Sequence, residues 1–372
     1  MSDTVRNQQS IEARYARLLT QYCLDLQEGD RLLLRTTTLA EPLVREVYRY
    51  ALRAGAHVEV QLDFREQSRI FFSEAQDKQL DYIPTLYPRA MAEFEAYLHI
   101  MAPYNLREEH DLPPEKSKRR QQVMKPARDQ YFRRAATREL KRNLCLYPTT
   151  AHAQEAGLSL EEYQHFVYRA CKLYEENPMA RWLELRRNQQ KIVDHLNGCS
   201  RVQYKSEDVD IAFSTAGRSW INSDGQTNMP SGEVYTSPVE DSAEGHIHFS
   251  YPAVYRGHEV EGVTLWVEKG EVVRWEARRG QDFLDYIFSL DGTRRFGEAA
   301  IGTNYDIDRF SKNILFDEKI GGTVHMAIGQ SYPQAGGKNQ SSVHWDMIAD
   351  MRSGSEILAD GERIYADGAF LI

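Results

Sequence analysis

Residues 29–62 read GDRLLLRTTTLAEPLVREVYRYALRAGAHVEVQL, and this stretch decides the fold of the first half of the chain. A turn at Gly29-Asp30 leads into the apolar run Leu32-Leu33-Leu34. A short apolar run behind a turn signal reads as a buried strand. Leu39 to Ala54 carries apolar residues at helical spacing and stops at Gly55, the residue that best adopts a left-handed C-cap. Val58, Val60 and Leu62 then alternate as a second strand. Strand, helix and strand over this length predict a βαβ unit, with parallel strands and a right-handed crossover.

Working outward, Ile11, Tyr15, Leu18, Leu19, Tyr22 and Leu26 recur at helical spacing ahead of the unit. Behind it, residues 74–97 read as helix-rich with breaks expected at Pro84 and Pro88. Strands are expected at 97–101 and 144–147, and helices at 159–174 and 178–196, the last opened by Pro178 and closed at Gly198. Past residue 198 the texture changes to short alternating strands. Val209, Ile211 and Phe213 form one; Val263, Leu265 and Val267 form another, followed by a turn at Lys269-Gly270 and by Val272-Val273. The expected architecture is α/β. An N-terminal α/β domain with parallel strands and flanking helices spans 1–198, and a C-terminal α+β, largely antiparallel domain spans 199–372. A chain of 372 residues is long for one core and agrees with two.

Composition bounds the function. A hydrophobic fraction of 41% and a charged fraction of 27% are those of a soluble globular protein. The net charge of -9 argues against a general nucleic-acid binder. The basic stretch 116–142 lacks regular aromatic interleaving and reads as a solvated helical face. The polar start MSDTVRNQQS has no apolar signal core, and no run approaches the ~18 apolar residues of a membrane span. Cys23, Cys145, Cys171 and Cys199 form no CxxC pair and read as thiols in a reducing cytoplasm. There is no GxSxG elbow, P-loop or GxGxxG fingerprint.

Metal-ligand side chains are concentrated in the second half. Glu233 lies in NMPSGEVYTSP, Glu298 in RRFGEAA, His325 and Tyr332 in GGTVHMAIGQSYP, and His344 and Asp346 in SSVHWDM. His344 and Asp346 are an i, i+2 pair that would face one side of a strand and could hold a cation, or simply bond each other. Read alone, His325 is equally a core histidine, Tyr332 a buried tyrosine with a bonded hydroxyl, and Glu233 a solvated turn glutamate. Glu298 in apolar company needs a metal or a partner such as Arg294 or Arg295. His246-Ile247-His248 and the incomplete HExxH at His258-Glu259 read as strand and turn surface. Together, three carboxylates, two imidazoles and a phenol suit a pair of divalent cations and metal-assisted hydrolysis.

As an ordered set, these blocks resemble the aminopeptidase T/aminopeptidase S family of metalloaminopeptidases. The resemblance extends over nearly the whole chain, including ARYARLLTQYCLDLQEGDRLLLRTTTLAEPLVREVYRYALRAGAHVEV at 13–60 and FDEKIGGTVHMAIGQSYP at 316–333. It implies a two-metal exopeptidase that uses metal-activated water on short peptides with a free N-terminus, with Glu233, Glu298, His325, Tyr332, His344 and Asp346 as ligands. Glu298 is expected to bridge the metals, with Glu233 as the alternative bridge, and Tyr332 to act as a weak ligand or as a donor to the oxyanion. Zinc, cobalt or manganese suits the mixed N/O donors. A homodimer is also implied. The segment PQAGGKNQSSV between Tyr332 and His344 is short for that family. Two rival readings are a two-metal amidohydrolase acting on a non-peptide amide and a non-catalytic binding protein of the same fold.

Overall fold

A computed structural model describes residues 9–110 and 112–372. The chain divides into two compact units. The first contains the described residues up to Met179 together with Gly225–Pro230; the second contains Ala180–Asp224 and Ser231–Ile372. Helix Pro178–Asn197, read from sequence as part of the first domain, packs with the second unit, because Ile192, Val193 and Leu196 enter that unit's core.

The first unit is built on a five-stranded parallel sheet in the order His57–Asp63, Arg31–Thr37, Ala96–Met101, Lys141–Leu146, Asn228–Met229. Leu32, Leu33 and Leu34 are fully buried, as a strand covered on both faces requires. The crossover helix Glu41–Arg53 opens with Pro42 in its first turn and buries the stripe Leu43, Val44, Val47, Tyr50 and Ala51. The short strand Asn228–Met229 was not anticipated, since two residues carry no periodicity.

One expectation changes in this unit. Pro84 falls between helices Asp77–Leu80 and Leu86–Glu93, but Pro88 lies inside the latter. Its missing N–H falls in the first turn, where no intrahelical bond is lost, so no break occurs there. The basic stretch forms helices Pro114–Val123 and Lys125–Ala136, and several of its cations are engaged within the unit. Arg119 pairs with Asp77 at 2.8 Å and Asp81 at 2.6 Å. Lys116 Nζ donates to the carbonyls of Phe72 and Ala75 at the end of helix Gln67–Glu74, where the helix dipole favours a cation. Buried Arg134 donates to the Met91 carbonyl at 3.0 Å.

The second unit holds an eight-stranded and a five-stranded antiparallel sheet that share one hydrophobic core. The expected hairpin is present: Thr264–Glu268 pairs with Glu271–Glu276 around Lys269-Gly270, both at positive φ, as tight hairpin turns demand. The five-stranded sheet runs in the order His344–Asp350, Thr323–Gly329, Phe296–Gly302, Glu233–Thr236, Ile221–Ser223. One of its faces supplies Ala299, Ile301, Val324, Met326, Ile328, Trp345 and Met347 to the core. By strand alternation the other face takes the residues between them. Among the described residues no helix is long and apolar enough to cross a membrane.

Candidate metal centre

Five of the six residues singled out from sequence lie on that second face, and Tyr332 reaches them from the segment after strand Thr323–Gly329. Glu298 and Asp346 both register against Ala327; His325 registers against Ala300, His344 against Gly329, and Glu233 against Gly302. Directly opposed residues of neighbouring strands share a face. Each row across the sheet therefore contains an alanine or a glycine, and the larger polar side chains converge over this floor of small residues.

A bulge aims Glu298. Pairing with Thr323–Gly329 shifts register between Phe296 and Glu298. Without it, Phe296 and Glu298 would share one face; the extra residue sends Phe296 into the core and Glu298 to the site. The residue at the bulge has to be Gly297, because a Cβ there would lie 2.2 Å from the Gln330 carbonyl oxygen. Gly232, at φ +118°, sits against Asn304 with no room for a Cβ, which brings the backbone before Glu233 close to the end of the Glu298 strand.

The ligand atoms fall into two groups. Glu298, His344 and Asp346 form one; Glu233, His325 and Glu318 form the other, each with its nitrogen and oxygen atoms within 4.8 Å of one another. Glu298 touches both: Oε2 is 3.1 Å from His344 Nε2, and Oε1 is 3.6 Å from His325 Nε2. His325 Nε2 is also 3.5 Å from Glu233 Oε2, and His344 Nε2 is 3.5 Å from Asp346 Oδ1. The His344 ring is oriented from behind by its Nδ1, 2.7 Å from the Gln330 carbonyl, which leaves Nε2 toward the carboxylates. Tyr332 places its hydroxyl 3.3 Å from His344 Nε2, and its backbone N–H donates to Ser237 Oγ, which in turn donates to the Gly297 carbonyl at the bulge.

Three further residues belong to this arrangement and were not assigned a role from sequence. Glu318 and Lys319 follow the short helix Ile314–Asp317, and Lys319 is fully buried. Lys319 Nζ lies 3.4 Å from Glu233 Oε1 and also contacts the Glu318 carboxylate. The signal was the run Asp317-Glu318-Lys319 set between Phe316 and Ile320, three charges in an apolar segment. Gln189, from helix Pro178–Asn197, donates to the carbonyls of Glu233 and Ser223 and accepts from Thr303 Oγ1. Nothing in its helical context distinguished it.

The electrostatics follow from crowding carboxylates in a buried place. Burial alone pushes Asp346 up, but the charge and hydrogen bond of His344 outweigh it and hold the carboxyl at about 2. Glu298 is likewise lowered, burial being overcome by its bonds to His325 and His344. His325 runs against its own burial to about 9 because of Glu298. Glu318 is raised to about 8, chiefly by burial. Burial, with Glu298 and Asp346 nearby, keeps the Tyr332 phenol protonated.

The donors fit divalent cations. Glu233 Oε2 and Asp346 Oδ1 are buried and accept no well-formed hydrogen bond among the described residues. A buried carboxylate oxygen in that condition is costly unless a cation completes it. Carboxylates, imidazoles and a phenol suit borderline ions. Other candidates stay apart. His248 bonds Thr264 Oγ1 at 2.8 Å on strand Glu244–His248, and His258 stacks on Phe283. Neither they nor His246 join a group of metal-ligand type among the described residues. Arg294 and Arg295 turn to Glu271 and to the Glu240 carbonyl, so among the described residues Glu298 has no arginine partner.

Known proteins resemble this chain over nearly its whole length. Residues 8–370 match the sequence family described as thermophilic metalloprotease (M29). Aminopeptidase T of Thermus thermophilus is 28% identical over 95% of this chain and 95% of its own length. Aminopeptidase 2 of Geobacillus stearothermophilus is 27% identical over 86% of this chain and 83% of its own. The solved structure of wild-type AmpT from Thermus thermophilus superposes with a TM-score of 0.82 at 25% identity, covering 97% of this chain and 99% of that one.

Proposed function

The chain belongs to the thermophilic metalloprotease family, and from that premise we propose that it is a two-metal aminopeptidase that removes N-terminal residues from short peptides. The observation that carries the proposal is Glu298, whose two oxygens are divided between the two ligand groups. A carboxylate so placed is suited to span two cations, one held with His344 and Asp346, the other with Glu233, Glu318 and His325. When bound, such cations polarise a carbonyl and make water nucleophilic near neutral pH. Zinc, cobalt and manganese all suit the donor set.

The chain's own residues then divide the work. His344, pinned through Nδ1 to the Gln330 carbonyl, presents Nε2 as a ligand in a fixed orientation. The protonated Tyr332 hydroxyl beside it is a donor suited to the oxygen of the scissile carbonyl as charge develops there. Ser237 ties the Tyr332 backbone by hydrogen bonds to the bulge that carries Glu298.

A homodimer is part of the proposal. The edge strand His57–Asp63 exposes Val60 and Leu62, followed by Phe64, which suits burial against another subunit. A cytoplasmic site agrees with four cysteines that all remain thiols.

The test is hydrolysis of leucyl- and arginyl-p-nitroanilide by purified protein, first chelated and then resupplied with zinc, cobalt or manganese. Activity that is lost and restored supports the proposal and ranks the metals. Turnover of non-peptide amides with none of aminoacyl anilides would replace it with an amidohydrolase. Absence of both, with metal bound, would leave a binding protein.

A further inference from the structure

Among the described residues, Lys319 is the only lysine or arginine that forms an ion pair with any of the potential ligands, and both of its partners lie in one group. Its ammonium contacts Glu233 and Glu318. None contacts Glu298 or Asp346, and Lys319 reaches Asp346 only through space. The side chain has no exposure to solvent. Its backbone is held on both sides: the N–H donates to the Phe316 carbonyl, and the carbonyl accepts from the Asn304 N–H, each at 3.0 Å.

We infer that Lys319 makes the two cation positions unequal, so that Glu298, His344 and Asp346 form the tight position and Glu233, Glu318 and His325 the weak, exchangeable one. This rests on the two-metal reading above. An ammonium has no lone pair and cannot itself be a ligand. It competes for carboxylate oxygens that the cation needs, and it repels a divalent ion in a buried setting where charges are poorly screened. Each group contains two carboxylates and one imidazole. Glu298 serves both positions, and of the remaining carboxylates Glu233 and Glu318 are already paired with the Lys319 ammonium, whereas Asp346 is not. At limiting metal the chain therefore holds one ion, and the second loads at higher concentration.

Calorimetric titration of the chelated, full-length protein with Zn²⁺, and separately with Co²⁺, tests this. The expected result is two ions per chain in resolved steps whose Kd values differ by about tenfold or more. Lys319→Met should tighten the loose step by about tenfold and move the tight step by less than about threefold. Lys319→Gln carries the same expectation and keeps a hydrogen-bond donor for both carboxylates, should the methionine variant fail to fold by circular dichroism. His344→Gln should delete the tight step and Glu318→Gln the loose one. Two ions of equal affinity in the unaltered protein would overturn the inference and leave the two-metal reading standing. So would a separation unchanged in both Lys319 variants, or loss of the loose step in His344→Gln. A single ion per chain at every concentration would overturn both.

Discussion

Glu298 and Asp346 stand on either side of one methyl group: both register against Ala327, from the two strands that flank Thr323–Gly329. With His344 their ligand atoms lie within 4.8 Å of one another. Two buried carboxylates this close repel, and the arrangement persists because protonated imidazoles, or a cation in their place, sit between them. The site is thus a consequence of sheet register, with small residues leaving the space and carboxylates filling it with charge.

Replacing Glu298 with Gln removes the charge and keeps the shape. Turnover should fall by about a thousandfold or more, with an unchanged fold by circular dichroism. Near-normal kcat would show that the divided carboxylate is not central to the chemistry.

Ala327→Leu fills the floor between Glu298 and Asp346. Overpacking should cost about 1–3 kcal/mol. Metal content measured by mass spectrometry should fall by at least one ion per chain, because the added side chain occupies the space over which the carboxylates converge. Full metal content in a folded variant would mean that the ions bind elsewhere.

Gln189→Leu removes the amide that joins the Glu233 carbonyl to Thr303. Orphaning these buried groups should cost roughly 3 kcal/mol in urea denaturation, and activity should fall further than stability alone explains because the Glu233 strand loses its anchor. A change under about 0.5 kcal/mol would show that water replaces the side chain.

The first unit should lose stability on mild acidification. Burial holds His99 and His152 down at about 4, with Arg35 also acting on His99. The unfolded chain, with histidines near the ordinary 6.5, takes up protons that the folded unit refuses. Stability is therefore complete above about 6.5, falls as pH drops toward about 4, and changes no further from these groups below that. Each costs about 3 kcal/mol of stability at the acid extreme. A His99→Asn/His152→Gln double variant should show a flatter dependence of urea midpoint on pH between 7 and about 4.5. An identical slope in both proteins would remove these histidines as the cause.

Much of this molecule was legible locally. The βαβ unit at 29–62 announced itself because its signals are short-range: buried leucines, a 3.6-residue stripe ended by Gly55, and alternating valines. The Lys269-Gly270 hairpin was legible for the same reason, since tight turns admit few residues. Pro88 was misread because proline disturbs a helix interior and not its first turn, and Thr85, which precedes the helix start at Leu86, makes no capping hydrogen bond. The six polar residues in apolar contexts were visible as an ordered set, though each alone had a plain structural reading.

Their meeting depends on contacts that are long-range in sequence. Whether Glu298 faces the core or the site turns on one bulge at Gly297, and a one-residue slip would have reversed it. Glu318, Lys319 and Gln189 come from a turn and a helix whose local patterns contain no information about strands far away in the chain. Residue type and spacing specify which elements form, because propensity, capping and turn chemistry act over a few residues. Which charges share a buried space, and which of them Lys319 neutralises, is set by strand order and register, and those are chosen by the packing of the whole core.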